Sequence, residues 1–171
     1  CELMLHEVFR FGLMQTDPNF ANYRVEGDTG RIVLLDFGAT RAIPAPLAAQ
    51  LGALMRAGLA GDAEEGSHIV AGIGLVPETM EARFRARIMA MIMLVFDEIR
   101  ENPVLDLGAS DLSRRLQREG EALAAEGLKP PPVPMDLLYV QRKVAGMFLL
   151  ASRLRARVPV RALIEAEVPP H

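Results

Sequence analysis

Met14-Gln15-Thr16-Asp17-Pro18-Asn19-Phe20-Ala21-Asn22 is followed, after a short gap, by Leu34-Leu35-Asp36-Phe37-Gly38. The first stretch sets an Asn five positions after an Asp. Pro18 removes a backbone donor and disfavours the helical region at Asp17, so a helix does not run comfortably through it. Thr16, Asp17, Asn19 and Asn22 favour side-chain-to-backbone bonds, which suit a tight, fixed loop. Between the stretches, Tyr23 to Glu26 and Arg31 to Leu35 read as two short strands joined by the turn Gly27-Asp28-Thr29-Gly30. The second stretch ends an apolar run, Ile32 to Leu35, with an Asp. That run is expected to anchor Asp36 in the core, and Gly38 frees the backbone for a sharp exit.

An Asp, an Asn at plus five, a hairpin and then Asp-Phe-Gly is the layout of a kinase catalytic loop followed by its metal-binding loop. Phosphoryl transfer asks the protein to orient an acceptor hydroxyl and to hold metal ions on the triphosphate. Asp17 is placed to orient the acceptor or accept its proton. Asn22 offers an amide oxygen that suits a hard Mg²⁺ without adding charge, and the Asp36 carboxylate would bridge Mg²⁺ to the phosphates. Each element alone is common, since a lone Asp-Pro-Asn is usually a turn. Their joint order carries the argument.

The rest of the chain reads as a helical body. Half of the 171 residues are hydrophobic, 24% are charged and only 5% are aromatic. Ala, Leu, Met and Arg, all helix formers, dominate. The length fits one domain spanning 1–171. A net charge of −3 gives no basis for non-specific nucleic-acid binding. A single cysteine, Cys1, excludes an internal disulfide and a cysteine metal site, and His6, His68 and His171 lack ligand spacing. No signal peptide or bilayer-spanning run is visible, so a cytoplasmic location is expected.

Residues 1–13 read as a helix, with Leu5, Val8 and Phe9 inward and Glu2, Glu7 and Arg10 towards solvent. After Gly38 the chain reads as helical to its end. The expected helices are Pro44 to Leu59, Asp62 to about Ile73, Pro77 to about Glu101, Asp111 to Leu128, Met135 to Arg157, and Val160 to Glu167. The third carries an apolar stripe of Met80, Phe84, Ile88, Ile92, Val95 and Ile99, and the fifth one of Leu138, Gln141, Ala145, Phe148, Leu149 and Ser152. Lys129-Pro130-Pro131-Pro132 reads as a stiff extended connector.

Three segments together resemble the UbiB family of atypical kinase-like proteins, closest to its coenzyme Q (ubiquinone) biosynthesis branch. They are Gln15 to Tyr23, Leu34 to Arg41, and Pro130-Pro131-Pro132 with Gln141-Arg142-Lys143, Gly146 and Phe148-Leu149. The Gln-Thr-Asp-Pro-Asn form is the specific part, because ordinary protein kinases carry His-Arg-Asp there. The resemblance runs from residue 1 to about residue 167. It implies an atypical kinase fold that binds Mg-ATP and acts as an ATPase in the ubiquinone pathway. It also implies peripheral association with a membrane and lipid-like pathway intermediates or pathway enzymes as partners. Asp17 carries over as the catalytic-loop Asp, and Asn22 and Asp36 as the metal ligands.

The family's nucleotide-binding lobe has an Ala-rich loop, a strand Lys with a helix Glu, and an upstream Lys-x-Gly-Gln element. None is found here. The expectation is therefore a mainly α, C-terminal lobe of a kinase-like fold. Its parts are a catalytic loop at 14–22, a metal-binding loop at 36–38 and a helical subdomain at 44–167. Such a lobe alone should bind nucleotide weakly and not turn over. Two other readings stay open. Aminoglycoside- or choline-type phosphotransferases share the Asp-to-Asn spacing but usually carry His and Gly where Gln15-Thr16 stand. A non-enzymatic lipid-binding scaffold would use Met89, Met91 and Met93 and the basic end Arg153, Arg155, Arg157 and Arg161. Their bland readings are core packing and a solvated helix end.

Overall fold

The computed structural model describes residues 1–129 and 132–169. The protein is mainly α, as the composition predicts. Helix α1 (Glu2–His6) continues into one wider π turn (Glu7–Phe11), and Gly12 closes it in the left-handed region at φ 60°. Strand β1 (Leu13–Gln15) leads into the Asp17 loop, which ends in a 3₁₀ turn (Phe20–Asn22). The predicted hairpin forms between β2 (Tyr23–Val25) and β3 (Ile32–Leu34), pairing Tyr23 with Leu34 and Val25 with Ile32.

The stretch after Gly38 is not wholly helical. Strand β4 (Thr40–Ala42) turns back antiparallel onto β1, with Met14 opposite Arg41 and Gln15 opposite Thr40. A third two-residue ladder joins β5 (Leu105–Asp106) to β6 (Arg157–Val158). Such three-residue and two-residue strands carry too little periodicity to register in a sequence.

The helices follow. α2 (Ala45–Ala60) stops where Gly61 adopts φ 77°, and α3 (Ala63–Gly72) is capped by Asp62, whose Oδ1 accepts the Glu65 amide at 3.0 Å. α4 (Ala82–Glu101) starts later than Pro77, because a turn from Pro77 to Met80 and an extended Glu81 intervene. α5 (Leu112–Ala125) is tied to α4 through Arg87, which pairs with Glu119 and Glu126. α6 (Met135–Arg153) ends short of Arg157, where Arg155 takes a positive φ before β6. α7 (Val160–Glu167) has the predicted bounds. Residues 130 and 131 of the expected proline connector lie outside the described residues.

The main core gathers Val8, Met14, Ile43, Leu51, Ile73, Leu137 and Val140. It lies directly under β1, so the strand entering the Asp17 loop rests on packed apolar side chains. A second cluster joins Leu5 of α1 to Ile164 and Val168 of the α7 end. There Arg10 binds Glu167 through both its Nε (2.7 Å) and its Nη2 (2.8 Å).

Two expectations fail, one in α6 and one at the start of the π turn. The inward face of α6 is Leu137, Val140, Lys143 and Ala151, while Leu138 and Leu149 of the expected stripe are exposed. Glu7, expected in solvent, is buried. Glu7 is buried because it meets Lys143 on the inward face of α6.

Candidate active site

The Asp17 loop is built from its flanks. Met14, Gln15 and Thr16 are buried. Thr16 donates both its amide (2.9 Å) and its hydroxyl (2.7 Å) to the Ala39 carbonyl, which fixes the loop to the segment leaving Gly38. Gln15 uses its whole side-chain amide on the next turn of backbone. Its Nε2 donates to the Asp17 carbonyl at 2.9 Å, and its Oε1 accepts the Asp17 amide at 3.1 Å. The Asn19 amide donates to the same carbonyl at 2.8 Å, and Asn19 Oδ1 accepts from the Ala21 amide. These are the local side-chain bonds that the loop's residue types favour.

Asp17 and Asn22 are brought together. Asn22 Nδ2 donates to the Asp17 carbonyl at 2.9 Å and to Asp17 Oδ2 at 3.2 Å. With its NH₂ so committed, the orientation of this buried amide is fixed. Its Oδ1 accepts no hydrogen bond from a described residue. The Asn22 carbonyl in turn accepts the Leu35 amide at 2.9 Å. That bond brings Leu35, the residue before Asp36, against Asn22.

Asp36 is exposed, and its Oδ1 accepts the Gly38 amide at 2.7 Å. The expected anchoring in the core does not occur. Ile32, Val33 and Leu35 are exposed, because a two-stranded hairpin has two faces and no described element covers them. Turn bonds hold Asp36 instead, together with Thr40 Oγ1 donating to the Phe37 carbonyl at 2.5 Å.

α6 forms the floor of the loop with residues that composition alone did not single out. Arg142 Nη2 lies 3.5 Å from Asp17 Oδ1. Lys143 Nζ lies 2.9 Å from Glu7 Oε2 and 3.3 Å from Oε1, with both side chains almost fully buried. A Cβ at Gly146 would fall 2.2 Å from Pro18 Cγ, so only glycine lets Pro18 rest on the helix there. The Tyr23 hydroxyl meets Met147 Sδ at 3.7 Å. Burial, reinforced by the negative charges of Glu7 and Asp17, raises the Tyr23 pKa above its ordinary value. One signal for Lys143 was present. It follows Leu137 and Val140 at three-residue steps, which puts it on the inward face of the helix.

Chemically these residues offer oxygen donors, the Asp17 carboxylate, Asn22 Oδ1 and the Asp36 carboxylate, with Arg142 at ion-pair distance from Asp17. Among the described residues, no helix is long and apolar enough to cross a membrane. Met89, Met91 and Met93 are partly buried along α4, and Arg161 is engaged by Glu165 at 2.8 Å.

Residues 1–69, which hold both loops and the hairpin, match the ABC1 atypical kinase-like domain. The chain is 30% identical over 163 residues to the mitochondrial atypical kinase COQ8B of Rattus norvegicus, covering 95% of this chain and 30% of that protein. It is 29% identical to the COQ8B of Danio rerio, covering 94% of this chain and 25% of that protein. It is 28% identical to the mitochondrial atypical kinase COQ8 of Saccharomyces cerevisiae, covering 91% of this chain and 31% of that protein. The chain thus spans less than a third of the length of these curated relatives. With the loop motifs in place and the likeness running almost end to end through this chain, it is similar to these atypical kinase-like proteins.

Proposed function

We propose that this chain carries the acceptor-orienting and metal-holding half of an atypical kinase or ATPase site that uses Mg-ATP. The observation that carries the reading is the Asn22 amide. Its NH₂ is spent on the Asp17 carbonyl and carboxylate, so its oxygen is the atom left to ligate. Asn22 Oδ1 and the Asp36 carboxylate are hard oxygen donors, and Asp36 keeps one oxygen outside its bond to Gly38. The residues present therefore fit Mg²⁺. When bound, that ion would neutralise charge on the nucleotide phosphates. Asp17 orients the acceptor hydroxyl or water and takes up its proton. Arg142, within ion-pair distance, restrains the carboxylate.

The domain reading follows the same line: a catalytic loop at 14–22, a metal-binding loop at 36–38 and a supporting helical subdomain at 44–167. The likeness to the COQ8 atypical kinases supports extending it to ubiquinone biosynthesis. Lipid-like pathway intermediates or pathway enzymes would be the partners, with attachment peripheral to a membrane.

The test is Asp36→Asn in the full-length polypeptide. Mg²⁺-dependent nucleotide binding, read by calorimetry or a fluorescent ATP analogue, is expected to disappear. Mg-ATP binding equal to wild type would remove Asp36 from the site. The phosphotransferase alternative predicts phosphate transfer to an aminoglycoside or choline, and the scaffold alternative predicts no ATP hydrolysis by the intact protein.

A further inference from the structure

The buried pair Glu7–Lys143 lies 136 positions apart in the chain, and nothing in the kinase-loop pattern accounts for it. Its surroundings do. Glu7 Oε1 also accepts the backbone amide of Gln15 at 3.3 Å. Gln15 is the residue whose side chain grips both the amide and the carbonyl of Asp17, and that same carbonyl accepts Asn22 Nδ2. A continuous hydrogen-bonded path therefore runs from Lys143 through Glu7 and Gln15 to Asp17 and Asn22. Its inner end, Lys143, is the largest fully buried side chain among the described residues, at 1% exposure. Glu7 opens the π turn, a helix irregularity that recurs near functional sites.

We propose that Glu7 and Lys143 are positioning residues for the candidate metal ligand Asn22 and for Asp17, acting through Gln15; this rests on the reading of the site given above. Burying two charges is not by itself a stability device, since apolar replacements of such pairs are often neutral or better. What an apolar pair cannot supply is an acceptor for the Gln15 amide. Lys143 fixes the Glu7 carboxylate so that one oxygen faces that amide. The Gln15 side chain then carries the constraint to the backbone around Asp17.

Two double variants separate this role from mere packing. Glu7→Gln with Lys143→Met removes the charges but keeps an amide oxygen for the Gln15 N–H. Glu7→Met with Lys143→Met removes the acceptor as well. Mn²⁺ is titrated into the full-length polypeptide with ADP present and followed by water-proton relaxation, and each variant is melted in parallel. The Gln/Met variant is expected to stay within about threefold of wild type in Mn²⁺ affinity. The Met/Met variant should melt similarly but bind about tenfold more weakly, the scale on which supporting hydrogen bonds tune a metal site.

Gln15→Leu gives an independent reading of the outer link. It keeps the backbone bond to Glu7, loses the grip on Asp17, and should weaken Mn²⁺ to a similar degree. It decides the matter if Met/Met does not fold. Wild-type affinity in Met/Met, or in Gln15→Leu, overturns the inference. A wild-type protein that takes up no Mn²⁺ overturns the site reading itself, and the inference with it.

Discussion

Asp17 stands on a loop whose entry strand is buried, whereas Asp36 follows a strand whose side chains face solvent. Met14, Gln15 and Thr16 are at most 5% exposed, while Ile32 is 67% exposed and Phe37 64%. Distant parts of the chain converge on the first loop: the π turn through Glu7, the segment at Ala39, and α6 through Arg142, Lys143 and Gly146. The second is held by its own turn and by one bond back to Asn22. In the first loop the geometry is over-determined by tertiary contacts. In the second, local bonds hold the carboxylate and the apolar hairpin is left uncovered among the described residues. Two members of one candidate site thus differ in what keeps them in place.

The contrast can be broken at its strongest point first. Lys143→Ala leaves Glu7 buried without its partner and should cost about 3–5 kcal/mol, the usual penalty for half of a buried pair. Chemical denaturation measures it; a loss no larger than a surface substitution would mean that the pair is not buried as described. Gly146→Ala comes next. The new methyl must displace the Pro18 ring, and overpacking of this kind costs about 1–3 kcal/mol. The same substitution should also weaken Mg²⁺-dependent nucleotide binding, because Pro18 adjoins Asp17. Unchanged binding and stability would show that α6 does not brace the loop.

On the exposed side, Ile32→Thr should change stability by less than about 0.5 kcal/mol, as surface substitutions do. Amide exchange sharpens the same comparison, with the Gln15 N–H expected to exchange far more slowly than amides of the β2–β3 turn. A large loss from Ile32→Thr would reveal a covering layer on the hairpin.

Tyr23 gives the smallest effect. Its raised pKa means that the unfolded chain releases the phenolic proton first. Stability is therefore whole below the ordinary tyrosine pKa of about 10 and declines as pH rises through the folded value. Tyr23→Phe should flatten that alkaline decline, and denaturant midpoints at neutral and alkaline pH would record it.

Much of the local geometry at the candidate site was legible because its residue types are local in effect. Pro18, Asn19 and Asn22 make a loop wherever they are placed together, and Gly27 to Gly30 make a turn. The bonds from Asn22 to Asp17 and from Leu35 to Asn22 then follow from spacing and hairpin pairing. Helix bounds at α3 and α7 were readable from Asp62 and from a compact apolar period. Burial of Glu7 was not readable, because a glutamate on an amphipathic helix defaults to solvent and its partner stands on α6. Nor was the exposure of the hairpin. An apolar strand signals a need to be covered, and the sequence of the strand does not contain the cover.

By itself, then, the sequence determined the likeness to atypical kinases, the helical character, the loop chemistry and the identities of Asp17, Asn22 and Asp36 as candidates. These depend on contacts within a few residues, where composition and spacing act directly. Only the tertiary structure decided that the Asp17 loop rests on a buried Glu7–Lys143 pair and on Gly146, and that the Asp36 hairpin does not rest on the core. The physical reason is reach. A hydrogen bond or ion pair needs its partners within about 3 Å, and partners 136 positions apart meet only once the helices have packed.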